Sequence, residues 1–230
     1  MPTDAIALRI AVESRAQVSA LLRVPNEVHA ALVLAHGAGA GMEHPFMRAL
    51  ADELASRKVA TLRFQFPYME QRLKRPDSPA VAQATVRAAV AEAARRLGGV
   101  PLFAGGKSFG GRMTSQAQAE EPLRGVLGLV FVGYPLHPAG KPSVRRADHL
   151  ASVQRPMLFL QGSRDALADL GLLEEVAARL GDRATLETFD DADHAFHVRK
   201  TSGSSDELVL RALVSCTAEW MSGIASGRRA

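Results

Sequence analysis

The stretch LFAGGKSFGGRM, residues 102 to 113, contains a Gly-Lys-Ser sequence beside a cluster of glycines. Such a sequence occurs either in a loop that binds phosphate or in a sharp turn that presents a nucleophilic serine. A phosphate-binding P-loop needs a glycine at position 101, where this chain has Pro101. The apolar run also reaches almost to Lys107, which leaves no room for a backbone loop around a phosphate. The sequence therefore argues against a phosphate loop.

The same stretch fits the pattern G-x-S-x-G, in which Gly106, Ser108 and Gly110 lie between an apolar strand and a helical segment that starts at about residue 109. In this pattern the serine occupies a turn with unfavourable backbone angles. Side chains two positions to either side would collide with the neighbouring strand and helix, which explains the glycines. The pattern alone is common by chance, but its position between strand and helix predicts Ser108 as a nucleophile.

Short apolar runs alternate with helical segments along the chain. Residues 5–12 and 16–24 have the pattern of an opening antiparallel hairpin. The later runs have the length and character of strands covered on both faces, and they span residues 30–36, 59–64, 100–105, 125–133, 156–162 and 184–189. The sequence thus predicts an α/β fold with a mostly parallel central sheet of about eight strands flanked by helices. Ligands of such sheets bind beyond the carboxyl ends of the strands.

Helix starts are visible in the same pass along the chain. Ser78 is predicted to cap a helix whose first residue is Pro79. Ser204 and Glu207 fit a capping box before the last helix, whose apolar stripe includes Cys216. We therefore expect Cys216 to be a core residue rather than a reactive thiol.

A serine hydroxyl needs a base to take its proton, so a carboxylate and a histidine are expected to follow in the order Ser, Asp, His. Asp165 comes just after one predicted strand and His194 just after the next. Asp169 is the alternative acid, although it is better explained as the N-cap of LGLLEEVAARLG. The alternative base is His197, which lies further into the next connection. The sequence favours Ser108, Asp165 and His194 as the catalytic residues.

Acyl transfer also needs hydrogen-bond donors for the oxyanion of the tetrahedral intermediate. One is the backbone N–H of Phe109, which follows the nucleophile. The second is expected in the loop HGAGAGMEHPF, residues 36 to 46, where Ala38 is favoured and Gly39 remains open. A dinucleotide fingerprint G-x-G-x-x-G fails in this loop, because its last position falls on Met42 or His44 in the two possible registers.

Composition limits the class of protein. The 230 residues are 47% hydrophobic, enough for one core, and we expect a single domain over residues 1–230. The net charge of +4 comes from scattered basic clusters without interleaved aromatic residues, so no nucleic-acid partner is expected. Neither a signal peptide nor a membrane-spanning run is evident, and with a single cysteine the chain is expected to be cytoplasmic. No cofactor or metal is expected.

The segments LVLAHGAGAG, GGKSFGGRM, LQGSRDALAD and DADHAF, in this order after a leading hairpin, resemble the alpha/beta-hydrolase superfamily over nearly the whole chain. LRFQFPYME and YPLHPAGKP are most similar to a cap-less, dienelactone-hydrolase-like subgroup that includes a testis-expressed hydrolase-like protein and the hydrolase-like domain of NSL-complex subunit three. The resemblance implies the fold and the triad of Ser108, Asp165 and His194. Dienelactone hydrolases themselves use a cysteine nucleophile, so the serine here argues against that reaction.

Substrate contacts are harder to predict, because only about 22 residues separate the strands at 125–133 and 156–162 and no separate cap domain is expected. The nearest loops, residues 67–78 and 134–150, are polar and cationic, which predicts a preference for short acyl groups. Lys107, Tyr68 and His137 are candidate substrate contacts, and the further candidates are Met69, Arg112 and Lys141. The sequence predicts a serine hydrolase of small esters, and the alternative is a non-catalytic interaction module with the same fold.

Overall fold

The computed structural model describes residues 5–12 and 16–227, which form one eight-stranded sheet. The strands are β1 (Ile6–Val12), β2 (Ala16–Arg23), β3 (Ala30–Ala35), β4 (Val59–Phe64), β5 (Leu102–Lys107), β6 (Val126–Val132), β7 (Met157–Gly162) and β8 (Ala184–Phe189). Their order across the sheet is β1-β2-β4-β3-β5-β6-β7-β8. Strand β2 pairs antiparallel with β1 and with β4, and all other neighbours are parallel. The predicted mostly parallel sheet and its opening hairpin are confirmed, while the link at residues 13–15 lies outside the described residues.

Helices cover both faces of this sheet. They are α1 (Pro45–Ser56), α2 (Pro67–Glu70), α3 (Pro79–Arg96), α4 (Phe109–Glu120), α5 (Leu170–Leu180) and α6 (Asp206–Ala225), with 3-10 helices at Arg145–Ser152 and Gly181–Arg183. The connection between β6 and β7 contains the 3-10 helix Arg145–Ser152 as its one regular element among the described residues. As expected, the described part of the chain contains no separate cap domain.

The central strands are buried on both faces, which is why their sequences are almost wholly apolar. In β3 the residues Ala31 and Val33 join the core on the α3 and α4 side. Their neighbours Leu32 and Leu34 join the core on the α1 and α6 side. Successive side chains of a strand point to opposite faces, so a single strand of six residues contributes to both cores.

The predicted helix starts are observed with one correction. Ser78 and Asp169 accept capping hydrogen bonds at α3 and α5. At α6 the N-cap is Ser205 rather than Ser204, and its hydroxyl accepts a hydrogen bond from the N–H of Leu208. Ser205 has the extended backbone that an N-cap requires (φ −136°, ψ 158°), so the helix begins one residue later than the capping box predicts.

Helix α6 is long and apolar enough to cross a membrane by length and composition alone, which the sequence analysis did not anticipate. In this fold, however, it packs on the sheet. Leu213 and Met221 are fully buried, and the ring of Trp220 meets that of Phe103 in β5 with centroids 5.8 Å apart. Cys216 is half-buried against the same cluster. The apolar stripe of α6 is therefore part of the protein core.

Strands β5, β7 and β8 run parallel, so their carboxyl ends lie at one edge of the sheet. Ser108 follows the last residue of β5, and Asp165 and His194 lie in the connections that follow β7 and β8. This topology brings three positions that are far apart in sequence to the same edge.

Candidate active site

Ser108 lies in a one-residue turn between β5 and α4. Its backbone angles, φ 51° and ψ −115°, are unfavourable for any residue with a side chain. The turn is held on both sides, because the Ser108 N–H donates to the carbonyl of Val132 at 3.1 Å and the Ser108 carbonyl accepts from the N–H of Arg112 at 3.1 Å. The strain is thus fixed by hydrogen bonds to the neighbouring strand and to the following helix.

The glycines around Ser108 are required by close backbone contacts. A Cβ atom on Gly106 would lie 2.9 Å from the Cβ of Ala35 and 2.9 Å from the carbonyl carbon of Gly110. A Cβ on Gly110 would lie 2.5 Å from the carbonyl oxygen of Ala35. Helix α4 can therefore start directly against the end of β3, which is the steric reason that the sequence pattern implied.

A continuous chain of hydrogen bonds joins the three residues that the sequence favoured. The Ser108 Oγ lies 2.9 Å from the Nε2 of His194, and the Nδ1 of His194 lies 2.6 Å from the Oδ2 of Asp165. Nδ1 donates to the carboxylate, which leaves Nε2 as the acceptor for the serine proton. The arrangement has the geometry of a nucleophile, a base and the carboxylate that orients the base.

Asp165 is 5% exposed, and both oxygens of its carboxylate accept hydrogen bonds. Besides His194, it accepts from the Nε2 of Gln161 at 2.6 Å through Oδ2 and from the N–H of Leu167 at 2.8 Å through Oδ1. The Oε1 of Gln161 accepts from the N–H of Tyr134 at 2.9 Å, which fixes the orientation of that amide. Gln161 was not predicted from the sequence, although a glutamine in the otherwise apolar strand β7 was the available signal.

The alternative acid and base are used elsewhere. Asp169 caps α5, and its N–H donates to the Nε2 of His137 at 2.8 Å. His197 is exposed and pairs with Asp206 at 2.9 Å, and this hydrogen bond raises the pKa of His197. The carboxylate of Asp193 holds the turn between His194 and His197 by accepting hydrogen bonds from the N–H of Ala195 at 2.8 Å and from the N–H of His197 at 3.0 Å.

The loop after β3, residues 36–44 (the oxyanion loop), presents the candidate oxyanion donors. The N–H of Gly39 donates to the hydroxyl of Tyr68 at 2.9 Å and is therefore occupied. Within the described residues, the amides of Ala38 and Phe109 have no hydrogen-bond partner. Phe109 is the first residue of α4, where no intrahelical acceptor is available to its N–H. Of the two donors left open by the sequence, the geometry favours Ala38 over Gly39.

Side chains at the end of β4 hold the next part of this loop. Met42 donates its N–H to the Oε1 of Gln65 at 2.8 Å, and its carbonyl accepts from the guanidinium of Arg63 at 3.0 Å. Arg63 is 2% exposed, and burial lowers its pKa. The loop is therefore fixed by β4 and by the residues that directly follow it.

His36 is a buried structural histidine that the sequence analysis did not single out. Its Nδ1 donates to the carbonyl of Gly37 at 2.7 Å, and its Nε2 accepts from the N–H of Phe66 at 3.1 Å. Burial lowers the pKa of His36 to about 4. The neutral imidazole thus joins the start of the oxyanion loop to the chain beyond β4. Its position at the end of a buried strand was the available signal.

A cleft of about 350 Å³ lies beside Ser108 and His194. Its apolar wall includes Phe46, Met47 and Leu167, and its further lining residues are Gly37, Ala38, Ala40, His44, Lys107 and Ala195. Residues 67–78 and 134–150, which were expected to surround the site, contribute none of these lining residues. The wall comes instead from the loop after β3 and the start of α1, so the cleft is more apolar than the sequence indicated.

Two of the three candidate substrate contacts, Tyr68 and His137, stabilise neighbouring loops instead of facing the cleft. Tyr68 is 1% exposed and its hydroxyl contacts Gly39, while both ring nitrogens of His137 contact backbone atoms of Pro138 and Asp169. Neither residue lines the cleft, and the same holds for Met69, Arg112 and Lys141. Lys107 does line it, and its amine contacts the loop that carries His194.

Comparison with known proteins agrees with this fold. The sequence model described as an alpha/beta hydrolase domain matches residues 28–222. The structure is similar to a dienelactone hydrolase from Anabaena variabilis, with a TM-score of 0.74, 22% identity, and coverage of 95% of this chain and 96% of that one. It is also similar to an alpha/beta serine hydrolase without a lid from Xanthomonas campestris, with a TM-score of 0.74, 21% identity and 96% of each chain covered.

A third similar structure is Est1E from Butyrivibrio proteoclasticus, with a TM-score of 0.68, 18% identity, and coverage of 93% of this chain and 98% of that one. At these identities the structural likeness shows the fold, whereas the sequence match spans most of the chain. Together with the sheet order and the Ser108 turn, that match shows that the chain belongs to the alpha/beta hydrolase family.

Proposed function

We propose that this protein is a serine hydrolase of the carboxylesterase type, which cleaves small esters through a covalent acyl-enzyme. The observation that carries the proposal is the unbroken hydrogen-bond chain from Ser108 through His194 to Asp165 beside an open cleft. Two backbone amides without a partner among the described residues supply the donors that an oxyanion needs: that of Ala38, which lines the cleft, and that of Phe109, which directly follows Ser108.

In the acylation step, the Ser108 Oγ attacks the carbonyl carbon of the ester while its proton passes to the Nε2 of His194. The electron pair of the C=O bond moves to the carbonyl oxygen, and the amides of Ala38 and Phe109 stabilise the resulting oxyanion. The electron pair then returns, the bond to the leaving oxygen breaks, and His194 gives its proton to that oxygen. An alcohol leaves, and the acyl group remains on Ser108.

In the deacylation step, water takes the place of the alcohol. His194 accepts a proton from the water as its oxygen attacks the acyl carbon, and the same two amides stabilise the second oxyanion. When the bond to Ser108 breaks, the proton returns from Nε2 to the Ser108 Oγ. The sum of both steps is one ester and one water converted into one acid and one alcohol. The carboxylate of Asp165 stabilises the imidazolium of His194 in both steps.

The cleft supports a preference for short to medium acyl groups. A volume of about 350 Å³ is at the small end of ligand pockets. The apolar side chains of Phe46, Met47 and Leu167 favour an alkyl or aromatic acyl group over a charged one. Within the family, the motifs around Ser108 and in residues 62–70 support assignment to the cap-less, dienelactone-hydrolase-like subgroup.

A fluorophosphonate probe tests the proposal, because it reacts only with an activated serine. We expect labelling of the wild-type protein and no labelling of Ser108→Ala, with turnover of p-nitrophenyl acetate lowered by at least ~10³-fold. Ser115→Ala is the matched control, since Ser115 also contacts a histidine, His149, at 2.8 Å but is buried away from the cleft. A wild-type protein that is not labelled, or a Ser108→Ala variant that is, contradicts the proposal.

A further inference from the structure

Lys107 is the last residue of β5, directly before Ser108, and its amine lies against the loop that carries His194. Its Nζ donates to the main-chain carbonyl of His194 at 2.5 Å. The same atom lies 5.3 Å from the centroid of the Phe196 ring. These contacts connect the last residue of β5 to the main chain of His194 itself and to a residue two positions further along.

Gly133, which directly follows β6, also lies beside the Lys107 amine. A Cβ atom on Gly133 would lie 2.8 Å from the Lys107 Nζ and 3.5 Å from the Nδ1 and Cε1 atoms of His194. Gly133 also has a φ of +66°, which a residue with a side chain rarely adopts. The absence of a side chain at this position thus creates the space in which the lysine amine and the imidazole lie.

Burial and the nearby carboxylates act in opposite directions on the pKa of Lys107. Burial lowers its pKa to about 8, while the carboxylates of Asp165 and Asp193 favour the charged form. The Phe196 ring also favours a cation over a neutral amine. The ammonium form is therefore predominant at neutral pH, and it loses its proton within the mildly alkaline range.

We propose that Lys107 is a positioning residue, whose ammonium group holds the main chain of His194 so that the imidazole stays within hydrogen-bond distance of Ser108. The inference rests on the proposed hydrolase function and adds a residue that is not part of the triad. The amine holds the main chain of His194 through a charge-assisted hydrogen bond, which is about twice as strong as a neutral one. Deprotonation weakens this hydrogen bond and removes the attraction to the Phe196 ring.

The test compares Lys107→Met with wild type, using the second-order rate of fluorophosphonate labelling from pH 6 to 10 and the kcat and KM for p-nitrophenyl acetate at pH 7. We expect Lys107→Met to lower the labelling rate and kcat by about 10- to 100-fold, with KM changed by less than about threefold. The wild-type labelling rate should fall as pH rises through about 8. This alkaline fall should be absent in Lys107→Met. Lys74→Met, at an exposed loop position, is the matched control and should behave as wild type.

Lys107→Gln keeps an N–H donor without a charge, so it serves as a second variant if Lys107→Met does not fold. It should show an intermediate rate and no alkaline fall. Lys107 variants that are labelled as fast as wild type across the pH range overturn the inference. It is also overturned if the loss is confined to esters with an anionic acyl group, such as succinyl, because Lys107 would then be a substrate contact. If the wild-type protein itself is not labelled, the proposed function fails and the inference fails with it.

Discussion

Replacing Asp165 with asparagine tests the role of the buried carboxylate. The carboxylate of Asp165 accepts three hydrogen bonds, from the amide of Gln161, the Nδ1 of His194 and the N–H of Leu167. If the asparagine NH2 group occupies the Oδ2 position, it faces two donors. If it occupies the Oδ1 position, it faces the N–H of Leu167. The substituted side chain therefore leaves at least one pair of donors in contact in either orientation.

The larger consequence is electrostatic. The substitution removes the negative charge 2.6 Å from the imidazole, and that charge stabilises the imidazolium formed when Ser108 gives up its proton. Loss of the orienting carboxylate in a Ser-His-Asp site lowers kcat by about 10⁴. This factor corresponds to about 5.4 kcal/mol in the activation barrier. We therefore expect Asp165→Asn to lower kcat for p-nitrophenyl acetate by about 10³ to 10⁴, with a small effect on KM.

Asp169→Asn is the matched control for this substitution. Asp169 is exposed and caps α5 through a hydrogen bond of 3.0 Å to the N–H of Leu172. Asparagine caps helices as well as aspartate does, so the change in unfolding free energy should stay within about 0.5 kcal/mol and kcat should be unchanged. Both variants are compared at a temperature well below their thermal unfolding. Equal losses of kcat in the two variants, or a larger loss in Asp169→Asn, would refute the assignment of Asp165.

Two further predictions concern the oxyanion loop. Tyr68→Phe removes the acceptor for the Gly39 N–H and should lower kcat by about 3- to 10-fold and the unfolding free energy by about 1 kcal/mol; an unchanged kcat would contradict a role of the hydroxyl in holding the loop. The second prediction concerns His36, whose pKa is about 4 in the folded state and 6.5 in the unfolded chain. On acidification the unfolded chain therefore binds a proton first. The folded state should lose about 3 kcal/mol of stability as pH falls from 6.5 toward 4. Thermal unfolding between pH 7 and 5 should show this fall, and a His36→Gln variant should show a shallower one.

The strand ends and the turn residues were predictable from sequence because they depend on local pattern and topology. Ser108, Asp165 and His194 each follow a predicted strand, and parallel strands bring such positions to one edge. Side-chain direction was not predictable in this way. The sequence pattern of a tyrosine after a strand does not show whether its hydroxyl faces a substrate or, as in Tyr68, a backbone amide of a neighbouring loop. Gln161 stands out as a polar residue in an apolar strand, but its partners Asp165 and Tyr134 depend on the tertiary structure.

The lining of the cleft shows the same limit. The polar segments at residues 67–78 and 134–150 are close to the site in sequence, so they were expected to surround it. The observed wall uses Phe46 and Met47, which belong to an ordinary amphipathic helix start when read alone. Only the path of the loop after β3 brings that helix end to Ser108. This path depends on glycines with positive φ within the loop, Gly39 and Gly41, and also on contacts with Arg63 and Gln65, which are distant in sequence.

The residues that hold the oxyanion loop are different from the residues that react. Arg63, Gln65 and Tyr68 lie on one short segment, which contacts the oxyanion loop through Gly39 and Met42 but supplies no reacting atom. A library of variants confined to residues 63–68 would therefore vary the angle and rigidity of the oxyanion donors while the nucleophile, base and acid stay constant. For enzyme engineering, this segment offers a way to adjust turnover independently of the chemistry.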